Sequence, residues 1–182
     1  KYNVNPDMAI FSKALGNGYA ICSIIGTNSV MQYAQSSFIS STFWTERIGS
    51  VAALKTLKLM DDLKSWEKID RIGKKIKKNW ADISKNTNVP IEISGLNSLA
   101  QFSFKSKKSN IYKTFITQEM LKHKILASNS IYVSIKHTDD ILNKYYEKLE
   151  KIFKTINKLE DKKNVKNVLE TSESLMGFPR LN

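Results

Sequence analysis

The chain has 182 residues, of which 41% are hydrophobic and 25% charged, with a net charge of +12; this is enough to bury a real core in one domain or one and a half. No apolar run approaches the roughly 20 residues that span a bilayer, and no basic start with an apolar middle marks a secretory leader, so a cytosolic chain with no membrane contact is expected. The positive charge comes from 26 lysines against 3 arginines, which argues against a nucleic-acid-binding domain, since arginine's planar fork is the favoured tool for phosphate and base recognition.

The first predicted element is a strand. Met8, Ala9, Ile10 and Phe11 form a continuous apolar run just after Pro6 and Asp7, the pattern of a strand covered on both faces in an α/β sheet. Such a strand delivers Lys13 to its C-terminal end, where the ligand crevices of open α/β sheets lie. Gly16 and Gly18 follow and permit the tight turn that close backbone approach to a ligand requires. A second apolar run, "AICSIIG", holds the one cysteine, Cys22, read as a small buried residue with no partner for a disulfide.

A short helix is predicted near Ser29 to Ala34, and a longer one from Ile48 with Ile48, Val51, Leu54 and Leu57 on one side. A polar break at Asp61, Asp62, Lys64 and Ser65 separates residues 1–63 from residues 64–182. Ile69, Ile72, Ile76, Trp80 and Ile83 then recur at three- and four-residue steps, so the lysines of "RIGKKIKKNW" form the wet face of an amphipathic helix. Beyond it "VPIEISG", "LAQFSFKS" and "SIYVSIK" read as strands, and 112–124 and 139–160 as helices. Thr138 caps the last of these, Asp139 and Asp140 suit its positive end, and Leu142, Tyr145, Leu149, Ile152, Ile156 and Leu159 make its core stripe. Neither His123 nor His137 has a metal-ligand or triad partner, and both are read as structural. The tail from Lys162 to Lys166 is lysine-rich.

"NPDMAIFSKALGNGYAICSIIG" resembles the lysine segment of class III pyridoxal-phosphate-dependent aminotransferases, in which an acid-led strand ends in a lysine followed by a Leu-Gly-x-Gly turn. "ISSTFWTERIGSVAALKTL" is similar to the threonine segment that follows in the same enzymes. "YKTFITQEMLKHKILASNSIYVSIKHTDDI" resembles the C-terminal domain of the glutamate-1-semialdehyde 2,1-aminomutase-like branch. The resemblance implies an α/β protein of pyridoxal-phosphate fold type I: the C-terminal part of the large parallel-sheet domain in residues 1–63, and the small α+β C-terminal domain in residues 64–182. It also implies a cofactor, pyridoxal 5'-phosphate, and a reaction that moves an amino group between a small-molecule amino donor and an oxo or aldehyde acceptor.

Lys13 then takes the covalent role. Its amine condenses with the cofactor aldehyde as a Schiff base, is displaced by the substrate amine, and is freed to carry protons once it has lost its charge. By the same resemblance Thr42, assisted by Ser41, reaches the cofactor phosphate of a neighbouring subunit, which implies a homodimer. Gly16 and Gly18 shape the cofactor turn. Glu46 and Arg47 either line the substrate entrance or form an ordinary surface pair, and Ser134 stands where amino-acid transaminases of this class often place an arginine for the substrate carboxylate. The sequence departs from the family pattern at Ser41, where glycine is usual, at the "WTER" stretch, and at Ala20 in place of a proline. The phosphate loop, the stacking aromatic ring and the ring-nitrogen aspartate of the family are not found, so the chain is expected to be a fragment that binds the cofactor weakly or not at all by itself. An inactive remnant that only dimerises or scaffolds is the alternative, ahead of a basic nucleic-acid-binding domain.

Overall fold

The computed structural model describes residues 3–161 and 164–175. The chain divides into two compact units, Lys1–Ser65 and Trp66–Asn182.

In the first unit β1 (Met8–Phe11) pairs antiparallel with β2 (Ser23–Gly26), with Met8 opposite Gly26 and Phe11 opposite Ser23. The loop between them carries Lys13 in a single 3₁₀ turn, Lys13–Leu15. A short helix α1 (Asn28–Met31) continues into a 3₁₀ stretch, Gln32–Ser36, and α2 (Arg47–Leu63) closes the unit. Helix α2 therefore runs through Asp61 and Asp62, and the predicted break falls at Lys64, a left-handed cap with φ 46°.

Two expectations are corrected here. The strand before Lys13 was read as covered on both faces and Cys22 as buried, yet Met8, Ile10, Phe11, Ile24, Ile25 and Cys22 are all exposed. A two-stranded ribbon has no layer over either face, and apolar residues on it stay in water. Ile48, Val51, Leu54 and Leu57 of α2 are exposed for the same reason. The edge of β1 away from β2 carries no strand among the described residues.

The second unit has its own core. Helix α3 (Ser65–Thr87) leads into β3 (Ile91–Leu96) and β4 (Leu99–Phe104); α4 (Ser109–Lys122), β5 (Ser130–Tyr132) and α5 (Asp139–Leu159) complete it. The sheet has the order β3-β4-β5 and is antiparallel throughout. On α3, Ile76, Trp80 and Ile83 are buried, with Ile69 and Ile72 packed at the edge, as the helical spacing requires. All six residues of the α5 stripe are buried as well, and Thr138 Oγ1 accepts the Ile141 N–H. Trp80 and Phe153 meet Phe102 edge-on, at ring separations of 4.8 and 5.8 Å, and Phe104 stands 5.4 Å from Tyr112. Each of these large side chains contributes about 1.5–3 kcal/mol by leaving water. Where α3 passes the β3–β4 turn it carries Gly73, and a Cβ there would lie 1.8 Å from the Asn97 carbonyl oxygen. The contact is secured by Asn97 Nδ2 donating to Asp70 Oδ1 at 2.9 Å. Of the lysine-rich tail, Lys162 and Lys163 lie outside the described residues, and Val165 is buried in the core of this unit.

Candidate active site around Lys13

The lysine loop begins where β1 ends. Ser12 is still extended (φ −150°, ψ −166°), and the chain then reverses at Lys13, whose φ is 49°. A left-handed conformation is unfavourable for any residue with a Cβ, by about 1–2 kcal/mol. It is held because the Lys13 carbonyl accepts two backbone N–H bonds, from Gly16 and from Asn17. The Tyr19 N–H donates to the Gly16 carbonyl at 3.2 Å and closes the second half of the loop.

Gly16 is buried, and a Cβ there would stand 2.1 Å from the Tyr19 carbonyl oxygen and 2.8 Å from Ile21 Cγ2. Only glycine fits. Gly18 has φ 109°, so the two glycines serve different needs, close approach at one and backbone conformation at the other. Lys13, Ala14, Asn17, Gly18, Tyr19, Ala20 and Ile21 line an open depression of about 570 Å³. No carboxylate lies within ion-pair distance of Lys13 among the described residues, although many other lysines of the chain are so paired. An exposed lysine that lines a depression and has no paired carboxylate among the described residues suits the attachment of an aldehyde.

The segment before α2 supplies the hydroxyls. Ser41 Oγ accepts the Phe43 N–H at 3.2 Å, and Thr42 opens the turn that leads to α2. Glu46 occupies the N-cap of α2 with no side-chain cap bond, and the first turn that follows holds no acidic residue. Glu46, at the N-cap, and Arg47, at the first position of α2, are both exposed. Ser134 stands in the second unit: its N–H donates to His137 Nδ1 at 3.2 Å and its Oγ accepts the Lys136 N–H. His137 is thus a turn-forming residue, and His123 ends α4 with its N–H on the Met120 carbonyl.

Lys13, Gly16 and Gly18 share one loop, as the spacing predicts, and Asn17, Tyr19 and Ile21 join them without having been singled out in the sequence. Gly49 was overlooked as well; it is the buried point at which α2 meets the Ala20–Ile21 end of the loop. An isolated glycine inside a helical pattern is the signal that marks it.

The model of the class-III aminotransferase family matches residues 1–153. The 3-aminobutyryl-CoA aminotransferase of Cloacimonas acidaminovorans is 29% identical over an alignment of 147 residues, covering 78% of this chain and 36% of that protein. The glutamate-1-semialdehyde 2,1-aminomutase of Methanosphaera stadtmanae is 27% identical over 166 residues, covering 82% of this chain and 39% of that protein. Among solved structures, the internal-aldimine form of the FumI protein of Sphingopyxis sp. MTA144 superposes with a TM-score of 0.77 at 19% identity, over 86% of this chain and 38% of that one. Ornithine delta-aminotransferase of Plasmodium falciparum gives a TM-score of 0.73 at 22% identity, over 86% and 41%. The chain therefore spans well under half the length of these relatives, and its fold is that of the corresponding part of the pyridoxal-phosphate transaminases.

Proposed function

Because the chain belongs to the class-III aminotransferase family, we propose that it is the lysine-bearing part of a pyridoxal-phosphate enzyme that moves an amino group from a small amino donor to an oxo or aldehyde acceptor. Lys13 is its covalent residue. The observation that carries this reading is the Lys13 backbone, held left-handed at the end of β1 by two N–H bonds, with no carboxylate paired to its amine among the described residues.

Pyridoxal phosphate supplies an aldehyde and a conjugated ring that accepts electron density from the substrate carbon. The chain supplies positioning and a proton carrier. Lys13 Nζ would hold the cofactor through its aldehyde and, when displaced by the substrate amine, would be the group that holds the proton at the amine-bearing carbon. Gly16 and Gly18 would keep the loop thin enough for close approach of the cofactor. Thr42 Oγ1, assisted by Ser41, would donate to the cofactor phosphate of a second copy. Glu46 and Arg47 line the substrate entrance. Ser134 in place of an arginine supports an acceptor that needs no carboxylate clamp at that point, such as an oxo sugar or another ω-oxo compound.

The test is attachment. The natural protein is incubated with pyridoxal phosphate and borohydride, and the modified lysine is mapped by peptide mass spectrometry. The expected result is one dominant adduct at Lys13, and loss of the cofactor absorption band in Lys13→Ala. Retention of the band in that variant refutes the assignment. Residues 1–182 alone are expected to label at Lys13 only weakly.

A further inference from the structure

We propose that Gly49 is a positioning residue for Lys13: it lets α2 seat backbone-to-backbone against the lysine loop, and that contact keeps Lys13 in its left-handed conformation. The inference rests on the reading of Lys13 as the cofactor lysine. A glycine inside a helix costs about 0.5–1 kcal/mol relative to alanine, so its presence in α2 needs a reason. The reason is space. A Cβ at Gly49 would stand 2.7 Å from the Ala20 carbonyl oxygen and 3.1 Å from Ile21 Cβ, and the oxygen, being backbone, cannot swing aside.

Helix α2 buries Gly49 and, four residues on, Ala53, while Ile48, Val51, Leu54 and Leu57 remain exposed. Its seat in this unit is thus made by its smallest residues. Ile21 joins two glycines: it is the neighbour of both Gly49 and Gly16, whose missing Cβ would lie 2.8 Å from Ile21 Cγ2. The Gly16 N–H in turn donates to the Lys13 carbonyl. Four groups in succession, Gly49, Ile21, Gly16 and the Lys13 carbonyl, leave no slack between them. Displacing α2 at Gly49 therefore shifts the loop that fixes the lysine.

The experiment uses the natural protein as wild type, Gly49→Ala, and Gly73→Ala as a control with a still tighter backbone clash in the other unit, 1.8 Å from the Asn97 oxygen against 2.7 Å at Gly49. Two readouts are taken: the Cα and Cβ chemical shifts of Lys13, which report its backbone conformation, and the ratio of borohydride-trapped pyridoxal phosphate at Lys13 to that at exposed Lys55. In Gly49→Ala the shifts leave the left-handed range and the ratio falls about tenfold, inside the loss of up to about 100-fold that a 1 Å misplacement brings. Gly73→Ala melts earlier but keeps both values. A folded Gly49→Ala chain with wild-type shifts and ratio overturns the proposal. If Gly49→Ala does not fold, Ile21→Ala cuts the same link without a clash, and an unchanged ratio there overturns it too. A wild-type ratio near one sinks the cofactor reading instead, while the chemical shifts still decide the role of Gly49.

Discussion

Replacing Lys13 itself separates what the residue costs from what it does. Lysine and alanine pay the same left-handed penalty at φ 49°, about 1–2 kcal/mol, whereas glycine pays none and asparagine pays less. Glycine returns about 0.5–1 kcal/mol through the greater freedom of its unfolded chain. Lys13→Gly is therefore expected to stabilise the loop by roughly 0.5–1 kcal/mol over Lys13→Ala, with Lys13→Asn near the upper end of that range. The assay is amide hydrogen exchange at Asn17, whose N–H donates to the Lys13 carbonyl at 3.1 Å. A gain of about 1 kcal/mol appears as roughly fivefold slower exchange, with Lys13→Ala close to wild type, and every one of these variants loses the cofactor bond. Equal protection in the alanine, glycine and asparagine variants, or greatest protection in alanine, would show that the backbone here is not strained. A residue that is the wrong choice for stability and the right one for chemistry is what strain stored at a reactive position predicts.

In the second unit the adjacent tyrosines of α5 should respond with opposite signs. Tyr145 Oη accepts the buried Trp80 indole N–H at 3.0 Å, so Tyr145→Phe leaves that donor unpaired and should cost about 1–3 kcal/mol in urea unfolding. Tyr146 Oη is buried with no hydrogen-bond partner among the described residues, and Tyr146→Phe should be stabilising by about 1 kcal/mol. Alkali is the matching pH test: burial, aided by the charge of Asp139, pushes the Tyr146 phenol up to about 12, and burial raises Tyr145 and Tyr112 as well. Folding thus favours the neutral phenols, and their contribution is intact below the unfolded value near 10. It is lost as pH climbs through the folded values, by up to about 1.4 kcal/mol per pH unit for each tyrosine, and phenolate absorption should rise together with unfolding. A phenolate signal complete by about pH 10 in the folded chain would contradict the burial. For shared sites, mixing Lys13→Ala and Thr42→Ala subunits of the natural protein should restore activity that neither has alone, and no recovery would place Thr42 outside the partner's site.

What could be read from the sequence, and what could not, follows from where each side chain finds its neighbours. The stripes of α3 and α5 were legible because their partners, Phe102, Phe104 and each other, lie in the same chain, and periodicity then translates directly into burial. Lys13 was singled out for a local reason, a strand run followed at once by two glycines, and its role came from the resemblance. The exposure of Met8, Ile10, Phe11 and Cys22 was not legible, since apolarity states what a residue favours and not whether another layer is present to cover it. Gly49 was hidden differently: its meaning lies in the Ala20 carbonyl, 29 residues away in sequence, and a helical pattern with one glycine reads as a minor flaw until the backbone it touches is known. The left-handed φ of Lys13 belongs to the same group, because lysine gives no hint of it and the Gly16 and Asn17 amides that impose it act only in the closed loop. Local sequence thus singled out Lys13, while the contacts proposed to position it are long-range and glycine-mediated. It is at Gly16, Ile21 and Gly49, more than at the lysine, that substitutions should separate folding from cofactor attachment.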